Sequence, residues 1–277
     1  MTELHLAVSE TERSSVATWL KDLGLPQNIS ADTFILCSES KGFLLGILKS
    51  EDEAFLSYIY VEAQHRRQGV ASALLSQFIS TARERGFNRI VISGHTGNAP
   101  GYIQPGINLD KEKEAFSLVQ KFGFREIGSA YSMERSLQGN IDLPANGDWQ
   151  VREPKLSERN LLLETIASSV PGEWSKLFDE RLQTNPSQIL VAINNGVIAA
   201  YSSWNQERFG PIGVHPLYRG QGLGKLLLSH SLNSMKENGA VKAWFSWSDE
   251  ENLHFYQNNG FQIFRRYARF TLDLKIS

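Results

Sequence analysis

Two stretches of the chain show the same order of hydrophobic and polar positions. In each, an extended apolar run is followed by a short polar loop and then by apolar residues at helical spacing. The first reads YIYVEAQHRRQGVASALL around Arg66, and the second reads GPIGVHPLYRGQGLGKLLL around Arg219. A second landmark recurs as KFGFREIG around Gly123 and as NNGFQIFR around Gly260. Such self-similarity predicts two copies of one structural unit.

Each copy contains predicted strands and helices in the same order. The first copy is predicted to form strands at residues 3–8, 33–38, 43–49, 54–62, 89–93 and 124–135, and helices at 10–23, 69–86 and 111–122. The second is predicted to form strands at 150–152, 189–193, 197–204, 211–214 and 241–247, and helices within 156–183 and at 222–239 and 250–259. Strands and helices do not alternate strictly, which favours an α+β fold with a mixed sheet over a doubly wound parallel sheet.

The stretch between the copies has no apolar periodicity. Residues 138–148 read QGNIDLPANGD, a mixture of turn-forming and polar residues that is typical of a linker. We therefore expect one domain at residues 1–137, a linker at 138–148 and a second domain at 149–277.

Composition and charge narrow the classes of partner. The chain has 277 residues, of which 41% are hydrophobic and 21% charged, with a formal net charge of −2, as in soluble globular proteins. Nucleic acid and anionic membranes are disfavoured, because both usually require clustered basic residues. Without a basic, apolar leader or a long apolar run, a cytoplasmic location is expected. The single cysteine, Cys37, excludes an intrachain disulfide and is predicted to be a buried thiol.

The polar loop of each copy carries the chemistry. Glycines between a strand and a helix start let successive backbone N–H groups face one point, and the helix N-terminus adds partial positive charge. Arginine side chains there add charge-assisted hydrogen bonds. The pattern predicts a pyrophosphate site at Arg66, Arg67, Gln68, Gly69, Val70 and Ala71, and another at Arg219, Gly220, Gln221, Gly222, Leu223 and Gly224.

Other phosphate-binding motifs fit poorly. A Walker loop requires Ser or Thr after Gly-Lys, but Leu226 follows Gly224 and Lys225. The dinucleotide pattern GxGxxG requires glycine where Lys225 stands. ATP and NAD are therefore disfavoured.

The loops resemble those of the GCN5-related N-acetyltransferases, whose motif is Arg or Gln, two residues, Gly, one residue, then Gly or Ala. The resemblance covers both copies and implies two tandem acyl-CoA N-acyltransferase domains, each a mixed, mostly antiparallel twisted sheet flanked by helices. It implies that the loops bind the coenzyme A pyrophosphate, that the strands ending near Val61 and Val214 receive the pantetheine arm and thioester, and that acetyl-CoA is the co-substrate. The implied acceptor is a primary amine, on a small molecule or a peptide.

A second family element is an Asn and a Tyr ahead of a Gly-Phe pair. By resemblance, Tyr256 is the acid that protonates the leaving thiolate, and Asn252 lies on the same helical face. The first copy has Ala115 and Val119 at the matching positions, and neither side chain exchanges a proton. The resemblance therefore favours the C-terminal domain as the catalytic one. The alternative is an acyl-CoA-binding sensor in which one or both domains are inactive.

Several assignments stay open at this stage. A protonated amine must lose a proton before it attacks, and Glu207 and His215 are candidates for the base without a choice between them. Residues 94–108 are an insertion in the first copy, with the polar side chains Asn98, Tyr102 and Gln104, and are expected to form a lid, an interdomain contact or a surface loop. No histidine has metal-ligand spacing, so no metal site is predicted. The acceptor amine, the acyl length and the oligomeric state are not specified.

Overall fold

A computed structural model describes residues 5–6, 10–25, 33–38, 41–48, 52–92, 104–145, 147–169 and 174–275. The chain folds into two compact units. Unit one consists of Met1–Ser132, Ser246–Leu253 and Phe264–Ser277, and unit two of Met133–Phe245 and His254–Ile263. The domain boundaries expected from the sequence, 1–137 and 149–277 with a linker at 138–148, describe the two sequence copies and stay a prediction. The folded units are a different division of the chain, because each unit is assembled from separate segments.

The elements follow the predicted order. The strands are β1 (His5–Leu6), β2 (Thr33–Ser38), β3 (Gly42–Ile47), β4 (Glu53–Val61), β5 (Arg89–Ile92), β6 (Ile107–Asn108), β7 (Arg125–Ser136), β8 (Gln150–Arg152), β9 (Ile189–Asn194), β10 (Val197–Asn205), β11 (Arg208–Val214), β12 (Lys242–Ser248) and β13 (Gln262–Asp273). The helices are α1 (Glu10–Asp22), α2 (Val70–Glu84), α3 (Lys113–Lys121), α4 (Arg159–Ser169), α5 (Trp174–Thr184), α6 (Leu223–Glu237) and α7 (Glu250–Asn258). Among these helices, none is both long enough and apolar enough to cross a membrane.

The sheet of unit one has the order β1-β2-β3-β4-β5-β13. Neighbouring strands are antiparallel except for β4 and β5, which are parallel and pair from Glu53 with Arg89 to Leu56 with Ile92. The connection between parallel strands is the helix α2, as such a pair requires. The predicted mixed, mostly antiparallel sheet flanked by helices is thus confirmed.

Helices cover both faces of this sheet. On one face Leu74 and Phe78 of α2 are fully buried, and Phe78 lies so close to Gly46 that a Cβ at Gly46 would be 2.4 Å from its ring. On the other face Leu20 of α1 is fully buried, and Trp19 stacks on Phe43 with ring centroids 5.4 Å apart. Alternating side chains of the strands supply both cores, which is why these strands are apolar at nearly every position.

Unit two repeats this arrangement with the order β8-β9-β10-β11-β12, and β7 lies beside β12. The pairs β8–β9, β9–β10 and β10–β11 are antiparallel, and β11–β12 is parallel. Phe178 of α5 and Tyr201 of β10 are buried on one face with ring centroids 5.1 Å apart. On the opposite face Ser202 of β10 hydrogen-bonds Ser231 of α6 at 2.6 Å.

Three elements differ from the sequence prediction. Strand β13 was not predicted, since the predicted elements of the second copy end with the helix at 250–259. Strand β11 begins at Arg208 instead of Pro211, because the β10–β11 register shifts between Ser202 and Trp204 and the bulge accommodates the proline. Residues 94–108 were predicted as a loop, but Ile107–Asn108 forms the short strand β6 on β13. The loop positions Asn98 and Tyr102 lie outside the described residues.

The last strand of the second sequence copy belongs to unit one from Phe264 onward. In β13, Phe270 pairs with Ile92 of β5, and Ala268 pairs with Ile107 of β6. Phe270 is 1% exposed and packs edge-on against Phe116 of α3 with ring centroids 5.3 Å apart. The core around α2 and α3 therefore depends on residues that come more than 170 positions after β5 begins.

We predict that Phe270→Ala lowers the free energy of unfolding by about 3–5 kcal/mol, the usual cost of emptying a buried phenylalanine site. Urea denaturation measures this change. The matched control is Phe264→Ala on the same strand, where the side chain is 37% exposed, with an expected cost below about 1 kcal/mol. Equal losses in the two variants would contradict the placement of β13 in the core of unit one.

Candidate functional site

The two glycine loops have the same backbone geometry. A single 3-10 turn, at Ala63–His65 or Pro216–Tyr218, follows the strand, and a left-handed glycine then caps the helix. Gly69 has φ 84° and ψ −2°, Gly222 has φ 80° and ψ −1°, and neither helix has a side-chain cap. The first helical bonds are donated by Ala73 and Leu226. The N–H groups of residues 70–72 and 223–225 precede them and are available to an anion.

The leading arginine of each loop makes a contact that the sequence did not predict. Arg66 donates from Nε to the carbonyl of Val61 at 3.0 Å, and Arg219 donates from Nε to the carbonyl of Val214 at 3.3 Å. Each arginine therefore closes its loop onto the last residue of the strand. Both side chains lie at the surface, where the other N–H groups of each guanidinium can reach a ligand.

The second loop position differs between the copies in residue type but not in conformation. Arg67 has φ 59°, and its counterpart Gly220 has φ 77°. A non-glycine residue in this left-handed region costs on the order of 1–2 kcal/mol. Arg67 is held there with an exposed bond to Glu114 of α3 at 3.4 Å. Backbone strain of this kind is concentrated at ligand-binding loops.

The parallel strands beside each loop diverge. In unit one the β4–β5 pairing ends at Leu56 and Ile92, but β4 continues to Val61. In unit two the described β11–β12 pairing is Arg208 with Trp244, and β11 continues to Val214. Each strand thus carries backbone groups beyond its parallel pairing, on the segment that leads into the glycine loop. A wedge of this shape can admit an extended chain.

A cavity of about 810 Å³ occupies this wedge in unit one. It is lined by the diverging part of β4, by Arg66, Arg67 and Gly69 of the loop, by residues 70–72 at the start of α2, and by residues 110–115 and 117–119 at and within α3. Val119, the counterpart of Tyr256, is buried and lines the cavity, as does Ala115. The walls near α3 are therefore apolar where the second copy has its Asn and Tyr.

A carboxyl group and a phenol both line this cavity, on Glu112 and Tyr58, and neither residue was predicted from the sequence. Glu112 lies just before α3 and accepts hydrogen bonds at Oε2 from Gln104 Nε2 at 2.7 Å and from the Asn108 N–H at 2.8 Å. Burial raises the pKa of Glu112 above its ordinary value, against the lowering effect of these two bonds. Burial, helped by the Glu112 carboxylate, raises the pKa of Tyr58 to about 12. The one available sequence signal was Gln104, singled out as part of the insertion.

The predicted acid, Tyr256, lies on α7 in an aromatic cluster. Its half-buried ring contacts Phe245, Phe255 and Phe261, with centroid distances of 4.4, 5.1 and 5.5 Å. Asn252 lies in the first turn of the same helix and bonds Asp249 Oδ1 through its backbone N–H at 3.0 Å and its Nδ2 at 2.9 Å. Asn252 thus helps fix the start of α7, and the catalytic roles of Asn252 and Tyr256 stay predictions.

The two candidate bases of the second copy make local structural contacts. Glu207 accepts at Oε1 from the N–H of Val241 at 3.4 Å, and its backbone carbonyl accepts from the N–H of Trp244 at 2.9 Å, next to the parallel pairing. His215 accepts at Nδ1 from the N–H of Leu217 at 3.3 Å and caps the short turn before the loop. These contacts explain both residue types without a proton-transfer role.

Comparisons with known proteins agree with this geometry. The model described as "Acetyltransferase (GNAT) family" matches residues 10–101, and the model described as "Acetyltransferase (GNAT) domain" matches residues 185–263. Human N-acetyltransferase 8 is 29% identical over 76 residues, which cover 27% of this chain and 27% of that protein. The chain therefore matches about a quarter of the length of that curated relative.

Two solved structures show the same fold. One contains the GCN5-related glucosamine N-acetyltransferase region of a fungal multi-domain β-N-acetylglucosaminidase, with a TM-score of 0.80 and 17% identity over 98% of this chain and 38% of that one. The other is a tandem GNAT protein from the clavulanic acid biosynthesis pathway, with a TM-score of 0.67 and 16% identity over 99% of this chain and 100% of that one.

The repeated loops, the splayed strands and the repeated order of elements define a tandem α+β protein of the acetyltransferase class. With family models matched in both sequence copies, the chain belongs to the GCN5-related N-acetyltransferase (GNAT) superfamily, in its tandem form.

We predict that reciprocal substitutions at the equivalent positions Arg67 and Gly220 affect stability differently. Gly220→Ala should lower the free energy of unfolding by about 1 kcal/mol, a purely conformational cost, since a Cβ there would meet nothing within 4 Å. Arg67→Gly should leave the free energy of unfolding within about 1 kcal/mol of the parent. Glycine relieves the backbone strain, which stabilises the folded protein. It also raises the entropy of the unfolded chain and removes an exposed ion pair, and both of these effects destabilise the fold by a similar amount. Urea unfolding measures both. A larger loss in Arg67→Gly would show that the arginine side chain itself stabilises the loop.

Proposed function

We propose that the protein is an acyl-CoA-dependent N-acetyltransferase that moves an acetyl group directly from acetyl-CoA to a primary amine. The observation that carries this proposal is the pairing, in both units, of a left-handed glycine loop at a helix N-terminus with a parallel strand pair that diverges beside it. The loop suits a pyrophosphate, and the wedge between the strands suits the extended arm that follows it.

The residues present fit acetyl-CoA as a substrate. The N–H groups of residues 70–72 and 223–225 would bind the pyrophosphate oxygens, and Gly69 and Gly222 would let the ligand approach, since nothing lies within 4 Å of a Cβ built at either glycine. The arginines Arg66, Arg67 and Arg219 would add charge. In unit one the 810 Å³ cavity runs from the loop along β4, which supports a bound pantetheine arm there.

For the second copy we propose Tyr256 as the acid that protonates the departing thiolate. Its ring is fixed by three aromatic neighbours, so its phenol is held in one place, which favours proton transfer. Asn252 would support this role by fixing the start of α7. Val214 would lie on the strand that faces the thioester. On these grounds the C-terminal domain is the favoured site of transfer.

We predict that the two loops can be disabled one at a time. Gly69→Ala and Gly222→Ala each place a side chain at a left-handed position, at a cost of about 1–2 kcal/mol. The free loop then relaxes away from this conformation, and coenzyme A must restore it on binding, so binding at that loop should weaken about 5- to 30-fold. Calorimetric titration of coenzyme A measures this.

The matched controls are Gly86→Ala and Gly239→Ala, left-handed glycines at the opposite ends of α2 and α6, with φ 82° and 88°. These variants should lose similar stability but keep coenzyme A affinity. Equal weakening of binding in the controls would show that the loops act only through stability.

We predict that Tyr256→Phe lowers turnover about 10²- to 10⁴-fold, the usual contribution of a positioned acid, without weakening coenzyme A binding. Thiol release from acetyl-CoA is measured against a panel of amines: glucosamine, a polyamine, free amino acids and a peptide with a free N-terminus. The control is Tyr131→Phe, a tyrosine on β7 in unit one whose phenol lies 3.5 Å from Glu250. Unchanged turnover in Tyr256→Phe would remove the acid assignment.

The panel also separates the enzyme from the sensor. Thiol release with at least one amine supports the transferase. Tight coenzyme A binding without release on any amine would favour an acyl-CoA sensor, and no binding at all would overturn the assignment of both loops.

A further inference from the structure

The cavity of unit one is lined by groups of different chemistry. The cationic side chains Arg66 and Arg67 and the open N–H groups of α2 line it at the glycine loop. The carboxyl-bearing Glu112 and the phenol-bearing Tyr58 line the same cavity. A ligand that fills this cavity would present an anion to the loop and a hydrogen-bond donor or cation to Glu112.

Glu112 is held rigidly by its own loop. Both bonds that it accepts end on Oε2, so Oε1 takes part in neither. Asn108, whose N–H is one of the donors, is 5% exposed and accepts at Oδ1 from the N–H groups of Asp110 and Lys111 at 3.0 and 3.2 Å. This network fixes the carboxyl before any ligand arrives, which is the arrangement expected of a preorganised site.

The position of Glu112 is fixed further by the sheet. Strand β6, which contains Asn108, pairs with β13, and a Cβ at Gly106 would lie 2.4 Å from the carbonyl of Ala268. The glycine therefore permits a close backbone approach that places the loop before α3 beside the cavity. In the second copy the insertion that supplies this loop is absent from the sequence.

Burial makes Glu112 a stronger base than an ordinary carboxylate, because its pKa is raised. The titratable and charged groups that line the same cavity are Tyr58, Tyr60, His65, Arg66, Arg67, Asp110, Lys111, Lys113 and Glu114. Of these, Tyr58 carries the shift to about 12 and stays protonated near neutral pH, so it can donate a hydrogen bond throughout.

We propose that unit one is a second acetyl-transfer centre, in which Glu112 receives the ammonium group of a primary amine and accepts its proton while Tyr58 donates a hydrogen bond. This proposal rests on the proposed function, since the acetyl donor is the acetyl-CoA bound at the first loop. It gives a catalytic role to the copy that lacks the Asn and Tyr of α7.

Glu112 takes one proton from the ammonium group, and the nitrogen lone pair then forms a bond to the thioester carbonyl carbon. The carbon–sulfur bond breaks with its electron pair on sulfur, and a second proton passes from nitrogen to the thiolate. The products are the N-acetyl amine and coenzyme A thiol, and Glu112 returns its proton to solvent.

The experiment compares the parent, Glu112→Gln, Tyr256→Phe and the double variant for thiol release across the amine panel. Glutamine keeps an oxygen for the Gln104 and Asn108 bonds but cannot accept the proton. The matched control is Glu126→Gln, an exposed carboxylate on β7 in the same unit. Calorimetric titration of coenzyme A shows whether each variant still folds and binds the donor.

The expected result is at least one amine whose acetylation survives Tyr256→Phe but falls about 10²-fold or more in Glu112→Gln, with coenzyme A affinity unchanged. For that amine, kcat in Tyr256→Phe should fall as the pH drops through the raised pKa of Glu112, because the protonated carboxyl cannot accept a proton.

Other outcomes overturn the proposal. If every acetylation is lost in Tyr256→Phe and kept in Glu112→Gln, unit one has no transfer centre, while the proposed function stands. If Glu112→Gln loses coenzyme A binding, Glu112 has a structural role. The same conclusion follows if Glu112→Gln fails to fold and kcat in Tyr256→Phe does not fall at low pH. If the parent releases no thiol with any amine, the proposed function fails and this proposal fails with it.

Discussion

The arrangement of each unit depends on a parallel strand pair that stays together for only a few residues in an otherwise antiparallel sheet. A parallel neighbour requires a crossover, and α2 and α6 supply it after the 3-10 turn and glycine loop that follow β4 and β11. The chain must turn from strand to helix within one short loop, and a left-handed glycine makes that turn possible. The same turn directs the free N–H groups of the helix start to the mouth of the wedge. The loop geometry and the diverging strands therefore both result from the crossover that a parallel pair requires.

The two copies share this framework but differ in the side chains placed at the wedge. Unit two has a tyrosine on α7 among aromatic rings, and unit one has apolar residues at the equivalent helix positions. Unit one instead has a carboxyl group that is fixed by an inserted loop and by its strand β6. Duplication of a fold therefore preserved the ligand-binding backbone, while the chemistry carried by side chains diverged, as is expected when function lies in sites built on a common fold.

Much of the fold followed from local pattern. The helical spacing after Gly69 and Gly222 marked α2 and α6, and the loop motif marked their starts, because both signals are contained in a few neighbouring residues. Features that depend on distant residues were missed. The pairing of Phe270 with Ile92 joins strands far apart in sequence, and Tyr58 and Glu112 line one cavity although they lie on separate elements. The contacts of Arg66 and Arg219 with their strand carbonyls were also not readable, since the motif predicts the residue type but not where its Nε points.

The position of β13 has a consequence for how the protein is made. During synthesis the first copy emerges from the ribosome long before residues 264–273, so β5 keeps an open edge and the core around Phe116 stays incomplete until the second copy has been translated. Domains usually fold one after the other as they emerge, but here the first unit waits for the last strand. Maturation of its cavity is thereby tied to completion of the whole chain, and a nascent chain that stops early exposes an unpaired strand where a finished one is closed.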